Sequence, residues 1–251
     1  MDARDDVTVV IAAKDEAATI GPLIERSRHY AGHVLVVDGH SRDATATIAA
    51  AAGARVIVDR GHGKGEALRI GIDAVETGVI VFMDADGSHD PDDIPRLLAP
   101  IVGGHADHVS GSRLMGGSSE LHGGFDEFLR LTGSSLITAC INWRFGVRLS
   151  ESQNGFRAIR TDVARRLALR ANLTTIEQEM IVKTLRLGFR MAEVPTHEHK
   201  RVFGVSHIVL WRVAPAYVCT LLWHLFFSPL RAPSPRVTSE AVRSSRIGAH
   251  G

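Results

Sequence analysis

Cysteine is scarce. The chain has two in 251 residues, Cys140 and Cys219, far apart and each in an apolar stretch. That excludes a disulfide scaffold and predicts two buried, reduced thiols in a reducing compartment. Excess charge of either sign is also lacking. Lys and Arg number 29 against 28 Asp and Glu, a net charge of +1. Bulk electrostatics therefore gives no reason to expect a nucleic-acid partner. The opening Met1-Asp2-Ala3-Arg4-Asp5-Asp6 is acidic, and the apolar run after it is short. It is not a secretory leader, so the catalytic part is expected to face the cytoplasm. No internal repeat is visible. Gly61-His62-Gly63-Lys64-Gly65 is no P-loop, because no Ser or Thr follows the lysine at the required place. What remains is 45% hydrophobic and 23% charged, enough for one large α/β domain or two small ones.

Strand and helix patterns alternate through the first hundred residues. Val7 to Ala12 is a continuous apolar run, the mark of a strand buried on both faces. A helix is predicted from about Thr19 to Tyr30, with Thr19 as N-cap and Ile20, Leu23 and Ile24 as its apolar stripe. Strands follow at 34–37, 55–58 and 79–83, and helices at 43–52 and 64–75. The order implies a parallel sheet with right-handed crossovers, whose ligands bind beyond the carboxyl ends of the strands. The polar clusters collect at those ends: Lys14, Asp15 and Glu16; then Asp38, Gly39, His40 and Ser41; then the glycine-rich run with Lys64; then Asp84 and Asp86. Lys64 either approaches a nucleotide or simply opens its helix.

The tetrapeptide Asp84-Ala85-Asp86-Gly87 carries the most chemistry. Alternation along the preceding strand points both carboxylates the same way. Two such groups repel unless a cation joins them, and a hard divalent metal shared with substrate phosphates is the natural one. The plainer alternative is a loop whose aspartate caps the helix at Pro91.

The second half is less regular. Strands are expected at 107–111, 154–159 and 190–194, a mobile loop at 116–124, and helices at 125–145, 161–169 and 175–187. Ile208 to Phe227 is almost wholly apolar, with Trp211, Tyr217, Trp223, Phe226 and Phe227 and one narrow polar stripe. Arg212 and Pro215 make it a poor membrane span. It reads either as a helix lying in the bilayer interface or as a core or dimer helix. Prolines, serines and arginines dominate from Arg231 onward, which predicts a disordered basic tail able to face an anionic bilayer.

Six motifs stand in order: Val36 to Thr45 around Asp38-Gly39-His40-Ser41-Arg42-Asp43, Gly63-Lys64-Gly65, Asp84-Ala85-Asp86, Gly111-Ser112-Arg113, Ser152-Gln153-Asn154-Gly155-Phe156-Arg157-Ala158, and Arg201-Val202-Phe203-Gly204-Val205-Ser206. With them the chain, from about Val7 to Ile208, resembles family-2 glycosyltransferases of GT-A fold, in the dolichyl- or polyprenyl-phosphate mannose synthase branch. The resemblance implies a Rossmann-like, mostly parallel sheet flanked by helices, the domain of residues 1–204, while composition adds the apolar helix at 205–230 and the tail at 231–251. The resemblance also implies a nucleotide-sugar donor, GDP-mannose first and UDP-glucose second, and a polyprenyl or dolichyl phosphate acceptor. Ala12, Glu16, Asp38, Lys64, Asp84 and Ala85 would bind the nucleotide. Asp84 and Asp86 would hold Mg²⁺ or Mn²⁺, and Asp86, Arg113 and Arg201 would act at the reacting bond. Arg113, Arg130, Ser134 and Arg201 would take the acceptor phosphate, for which arginine's fork is suited.

A lipid monophosphate is already a nucleophile, so no general base is required of this chain. A sugar hydroxyl acceptor would need one, for which Asp126 or Glu127 stands nearest; helix-terminal charge is their commoner role. The family's usual Pro-x-Tyr-Asn-Glu opening is here Ala12-Ala13-Lys14-Asp15-Glu16, and its Asp-Asp-Gly-Ser is Asp38-Gly39-His40-Ser41. Its later Asp-Ser motif begins with Glu151, and Ser88 stands where a glutamine often follows the Asp-x-Asp, in a place to help the metal. His197 and His199 share a strand face, open to metal but more often hydrogen-bonded. Glu179 matches a family glutamate, and a structural role fits it and Glu177 equally. Transfer to a soluble acceptor, rearrangement of the nucleotide sugar itself, and a non-catalytic binding subunit are the rival readings. Placement at the inner membrane face and a homo-oligomer stay open.

Overall fold

The computed structural model describes residues 3–117 and 125–199, together with Trp223; for Ala3 and residues 125–131 it describes the backbone alone. Seven strands form one sheet: β1 (Val7–Ala13), β2 (His33–Asp38), β3 (Arg55–Val58), β4 (Val79–Asp84), β5 (His108–Ser112), β6 (Arg157–Arg160) and β7 (Met191–Pro195). Their order is β3-β2-β1-β4-β6-β5-β7. The first four pair in parallel, as the strand–helix alternation requires. β6 runs antiparallel to both β4 and β5, and β7 is parallel to β5. The sheet is thus mixed but mostly parallel, the expected architecture. Helices α1 (Ile20–Ser27), α2 (Thr45–Ala51), α3 (Lys64–Ala74), α4 (Ile94–Val102), α5 (Arg113–Gly116), α6 (Phe125–Phe145), α7 (Thr161–Arg166) and α8 (Ile176–Arg186) complete it.

Strand alternation divides the core. Val9 and Ile11 of β1 join Val36, Val81, Met83, Ile94 and Leu97 on one face. Val10 joins Leu35, Phe82, Leu68, Ile72 and Met180 on the other. Gly71 lets α3 press onto β1, since a Cβ there would lie 2.5 Å from a Val10 methyl. A smaller cluster of Ile141, Leu149, Ile181 and Val182 fastens α6 to α8.

Several boundaries move for local reasons. Thr19 makes no side-chain cap bond; its hydroxyl donates instead to the Ala85 carbonyl at 2.6 Å. α1 stops at Ser27, where the chain tightens into three-residue turns through His29 and Tyr30. Asp43 accepts the Thr45 N–H, so α2 opens two residues late. Asn154 turns the chain by accepting the Phe156 N–H, which delays β6 to Arg157. A left-handed Ala168 (φ 47°) follows the early end of α7. Cys140 is unpaired and half-buried rather than buried. The apolar segment at 208–227, the tail, Cys219, most of the glycine-rich loop and the Arg201 motif lie outside the described residues. Among those described, no helix is long and apolar enough to cross a membrane.

Candidate active site

The parallel half of the sheet puts the carboxyl ends of β1 to β4 on one rim. Because β6 is antiparallel, its beginning reaches the same rim, as do the ends of β5 and β7. All of the polar clusters meet there.

The loops after β1 and β2 are laced together. Asp15 N–H donates to Ser41 Oγ (2.9 Å), Arg42 N–H to Asp15 Oδ1 (2.6 Å), Glu16 N–H to Thr45 Oγ1 (2.8 Å) and Ala17 N–H to Asp43 Oδ2 (3.1 Å). The Thr45 hydroxyl first, then the Thr45 and Ala17 N–H groups, donate to the Asp43 carboxyl and hold it below its ordinary pKa. Asp15 (φ 56°) and His40 (φ 59°) are both left-handed, a backbone state that non-glycine residues adopt at a cost and that collects at functional sites. Asp38 is buried; Oδ2 accepts the Ser41 N–H, while Oδ1 has no hydrogen-bond partner. Ala12, half-buried, sits opposite Asp84 in the β1/β4 register.

β4 ends at Asp84, so strand alternation does not extend to Asp86. Gly87 (φ 77°) turns the chain, and Asp86, buried, accepts from Ser88 N–H (3.0 Å) and Ser88 Oγ (2.7 Å). Ser88 therefore fixes Asp86. The aspartate that caps the turn at Pro91 is Asp90, not a member of the pair. Lys64, first residue of α3, places Nζ 2.5 Å from Asp84 Oδ1 and 2.8 Å from Glu177 Oε1. Burial opposes its charge, but the two carboxylates outweigh burial and raise its pKa, so the ammonium is permanent. His89 lies buried under the pair. Its ring stacks on Phe156 at 5.0 Å, and Nδ1 accepts the Asp84 N–H at 3.2 Å. Burial pushes its pKa down, which keeps the imidazole neutral with its proton on Nε2.

These residues fit a hard divalent cation. Asp84 and Asp86 supply oxygen donors, and Lys64 favours the ionised form of Asp84. A Cβ at Gly155 would stand 2.8 Å from Asp84 Oδ2, so the glycine keeps that approach open. Among the described residues no cluster of three or more His, Cys, Asp or Glu is arranged to enclose a metal.

Arg113 comes to the rim but arrives engaged. Its guanidinium spans Glu151 (Nη2 to Oε1, 2.7 Å) and Glu198 (Nη1 to Oε1, 2.7 Å). Burial raises the pKa of Glu151, and Arg113 works against that rise. Glu193 holds the loop by accepting N–H bonds from Ser150 and Glu151. Ser134 lies on α6 one turn before Thr138, whose hydroxyl bonds the Ser134 carbonyl and Ser152 Oγ. The side chains of Arg130, Asp126 and Glu127, and all of Arg201, lie outside the described residues.

His197 and His199 do share a face, with ring centroids 4.6 Å apart. The structure brings His199 to Asp90 (3.3 Å), itself paired with Arg26, rather than to Asp84 or Asp86. Glu179 is structural: it accepts the Arg170 and Ala171 N–H groups and pairs with Lys183. Sequence reasoning missed His89, Glu198 and the link from Lys64 to Glu177. Alternation across His197 and His199 was the available signal that Glu198 faces the opposite way.

Comparison with known proteins follows the same lines. The family model described as Glycosyl transferase family 2 matches residues 8–166. Glycosyltransferase AglJ of Haloferax volcanii is 30% identical over 206 residues, covering 81% of this chain and 66% of that protein. A dolichyl-phosphate hexose transferase of the same organism is 28% identical over 200 residues, 78% of this chain and 84% of its own length. Among solved structures, glucosyl-3-phosphoglycerate synthase from Mycobacterium tuberculosis, in complex with Mn²⁺, UDP-glucose and phosphoglyceric acid, superposes with a TM-score of 0.71 at 24% identity. The match covers 89% of this chain and 80% of that one. That likeness establishes the fold.

Proposed function

The chain belongs to glycosyl transferase family 2, and from that premise we propose that it moves a hexosyl group from a nucleoside diphosphate sugar to a polyprenyl phosphate at the inner face of a membrane. The observation that carries the reading is the Asp84/Asp86 pair with Lys64, set at the end of β4 beside the start of β6. A departing nucleoside diphosphate needs its charge neutralised where it forms, and here an aspartate of the pair meets a half-buried ammonium at the rim.

Asp84 and Asp86 would hold Mg²⁺ or Mn²⁺, which, when bound, supplies positive charge to the diphosphate. Lys64 adds a second charge from the β3–α3 side. Asp38, with one buried oxygen lacking a partner, and the laced loops carrying Glu16 suit the nucleoside end. Arg113 and Ser134 would take the acceptor phosphate, together with Arg130 and Arg201, whose side chains lie outside the described residues. That phosphate is largely a dianion at neutral pH, its second pKa being about 6. It attacks the anomeric carbon in line, the configuration inverts, and no protein base takes a proton. The dolichyl-phosphate hexose transferase relative supports the lipid acceptor. GDP-mannose and UDP-glucose are the two donors to separate, and the solved neighbour's UDP-glucose favours the second.

A thermal-shift panel of GDP, UDP and dTDP with Mn²⁺ tests the donor site. A nucleotide present at 100 times its Kd stabilises by about 2.7 kcal/mol, a shift of several degrees. Asp86→Ala should erase that shift and lower transfer to polyprenyl phosphate roughly 100-fold or more. Full turnover in Asp86→Ala, or no shift with any of the three nucleotides, defeats the reading.

A further inference from the structure

Lys64 occupies the very carboxylate that the metal would use. It is held on Asp84 by one contact and on Glu177 by another, at 2.5 and 2.8 Å. The two anchors come from different elements, the end of β4 and the start of α8. Glu177 is buried, and its second oxygen, Oε2, has no hydrogen-bond partner. Were the lysine to leave altogether, Glu177 would lose its 2.8 Å ion-pair partner while still buried, an arrangement proteins avoid. The lysine is therefore tethered, yet its stem is flexible and its three donors can be reassigned. The anchor is itself fixed, since buried Arg157 donates to the Glu177 carbonyl at 3.1 Å. Gly155 lies directly against the pair: a Cβ there would stand 3.1 Å from Nζ and 2.8 Å from Asp84 Oδ2, so the missing side chain is what leaves both groups room.

From this geometry we infer that Lys64 is a displaceable counter-ion that makes metal and nucleoside diphosphate bind together. This rests on the nucleotide-sugar reading above. Without nucleotide, the ammonium on Asp84 repels an incoming divalent cation. A diphosphate gives the ammonium a new anionic partner, so Lys64 turns away from Asp84 while keeping Glu177, and the carboxylate passes to the metal. Glu177 acts as a positioning residue, because it keeps the lysine within reach of the phosphates. Coupling of this kind is reciprocal: nucleotide tightens metal by the same factor that metal tightens nucleotide.

Electron paramagnetic resonance titration of Mn²⁺ into the full chain, alone and with saturating UDP or GDP, tests this without any turnover. The wild type should bind Mn²⁺ weakly alone and at least tenfold more tightly with the preferred nucleotide. Lys64→Gln should bind Mn²⁺ alone several-fold more tightly than wild type and lose most of the nucleotide effect. A lysine that merely supported the fold would lower both affinities when removed. Glu177→Gln should move the opposite way, binding Mn²⁺ alone more weakly because the ammonium settles wholly on Asp84. Unchanged or weaker Mn²⁺ binding by folded Lys64→Gln overturns the inference and leaves the glycosyltransferase reading standing. If Lys64→Gln fails to fold, unchanged or tighter binding by Glu177→Gln overturns it instead. Wild type that binds no Mn²⁺ even with UDP or GDP removes the underlying reading, and this inference with it.

Discussion

Arg113 shows how a proposed site residue is held by its neighbours. Its fork bridges a nearly inaccessible Glu151 and a half-buried Glu198, from partners 38 and 85 residues away in sequence. Burial first, and then the neighbouring Glu198, disfavour charge on Glu151, and the guanidinium works against both. Arg113→Met strands both, and breaking a buried ion pair by removing one partner costs about 3–5 kcal/mol. Urea unfolding should show that loss. The double variant Arg113→Met/Glu151→Gln should recover part of it, since the stranded charge is then gone. If the two changes simply add, the pair is not the unit described here. Glu198→Gln leaves Arg113 one anchor and a freer fork, so it should disturb stability less than Arg113→Met does.

At the level of elements, the far half of the sheet is held by a charged brace at the opposite rim. Asp107, just before β5, pairs with Arg190 before β7 (2.8 Å) and Arg160 at the end of β6 (3.3 Å), and takes the Arg190 N–H as well. The Arg190 side-chain bonds come first in holding its carboxyl below the ordinary range. A carboxyl depressed in the folded state stabilises fully above its unfolded pKa, about 3.9. That contribution fades as pH falls through 3.9 toward the folded value. Asp107→Asn should therefore lower Tm by a few degrees at pH 7 and flatten the acid limb of a Tm-against-pH curve below about pH 4. An unchanged acid limb would rule the brace out as its source. The near half of the sheet was legible in sequence because each strand is an apolar run followed by polar residues, and parallel β-α units leave few topologies. The far half was not. Nothing in the local pattern of 154–160 says that β6 turns antiparallel between β4 and β5, because that choice depends on partners distant in sequence. The same reason hid the site's wiring. Asp84, Asp86 and Lys64 were visible as motif residues, whereas the contact of Lys64 with Glu177 and of Arg113 with Glu198 exists only once the rim is assembled. His89 was hidden differently: its burial against Phe156 follows from the turn at Gly87, which breaks the strand alternation before Asp86.

For the whole molecule, the donor and the acceptor pose different physical problems. Every described element that would hold a nucleotide lies within residues 7–199, on one rim of one sheet. The proposed acceptor, a polyprenyl phosphate, stays in a bilayer, and among the described residues no helix is long and apolar enough to cross one. The sequence offers Ile208 to Phe227 and, beyond it, Arg231, Arg236, Arg243 and Arg246. Confining an enzyme to the surface that holds its acceptor raises the effective concentration without any new contact at the reacting atoms. Basic residues near an anionic leaflet add about 1 kcal/mol each, and that part fades with salt. Removal of residues 208–251 should then leave Mn²⁺-dependent nucleotide binding unchanged while cutting transfer to polyprenyl phosphate in anionic vesicles at least tenfold. Transfer to a short-chain phosphate in detergent, where no surface concentrates the acceptor, should fall far less. Vesicle sedimentation of the intact chain should weaken as salt rises from low to 0.5 M. Equal loss on both acceptors would mean that the segment belongs to the catalytic domain's own packing. No loss on either would mean that the membrane is met elsewhere on the molecule or not at all.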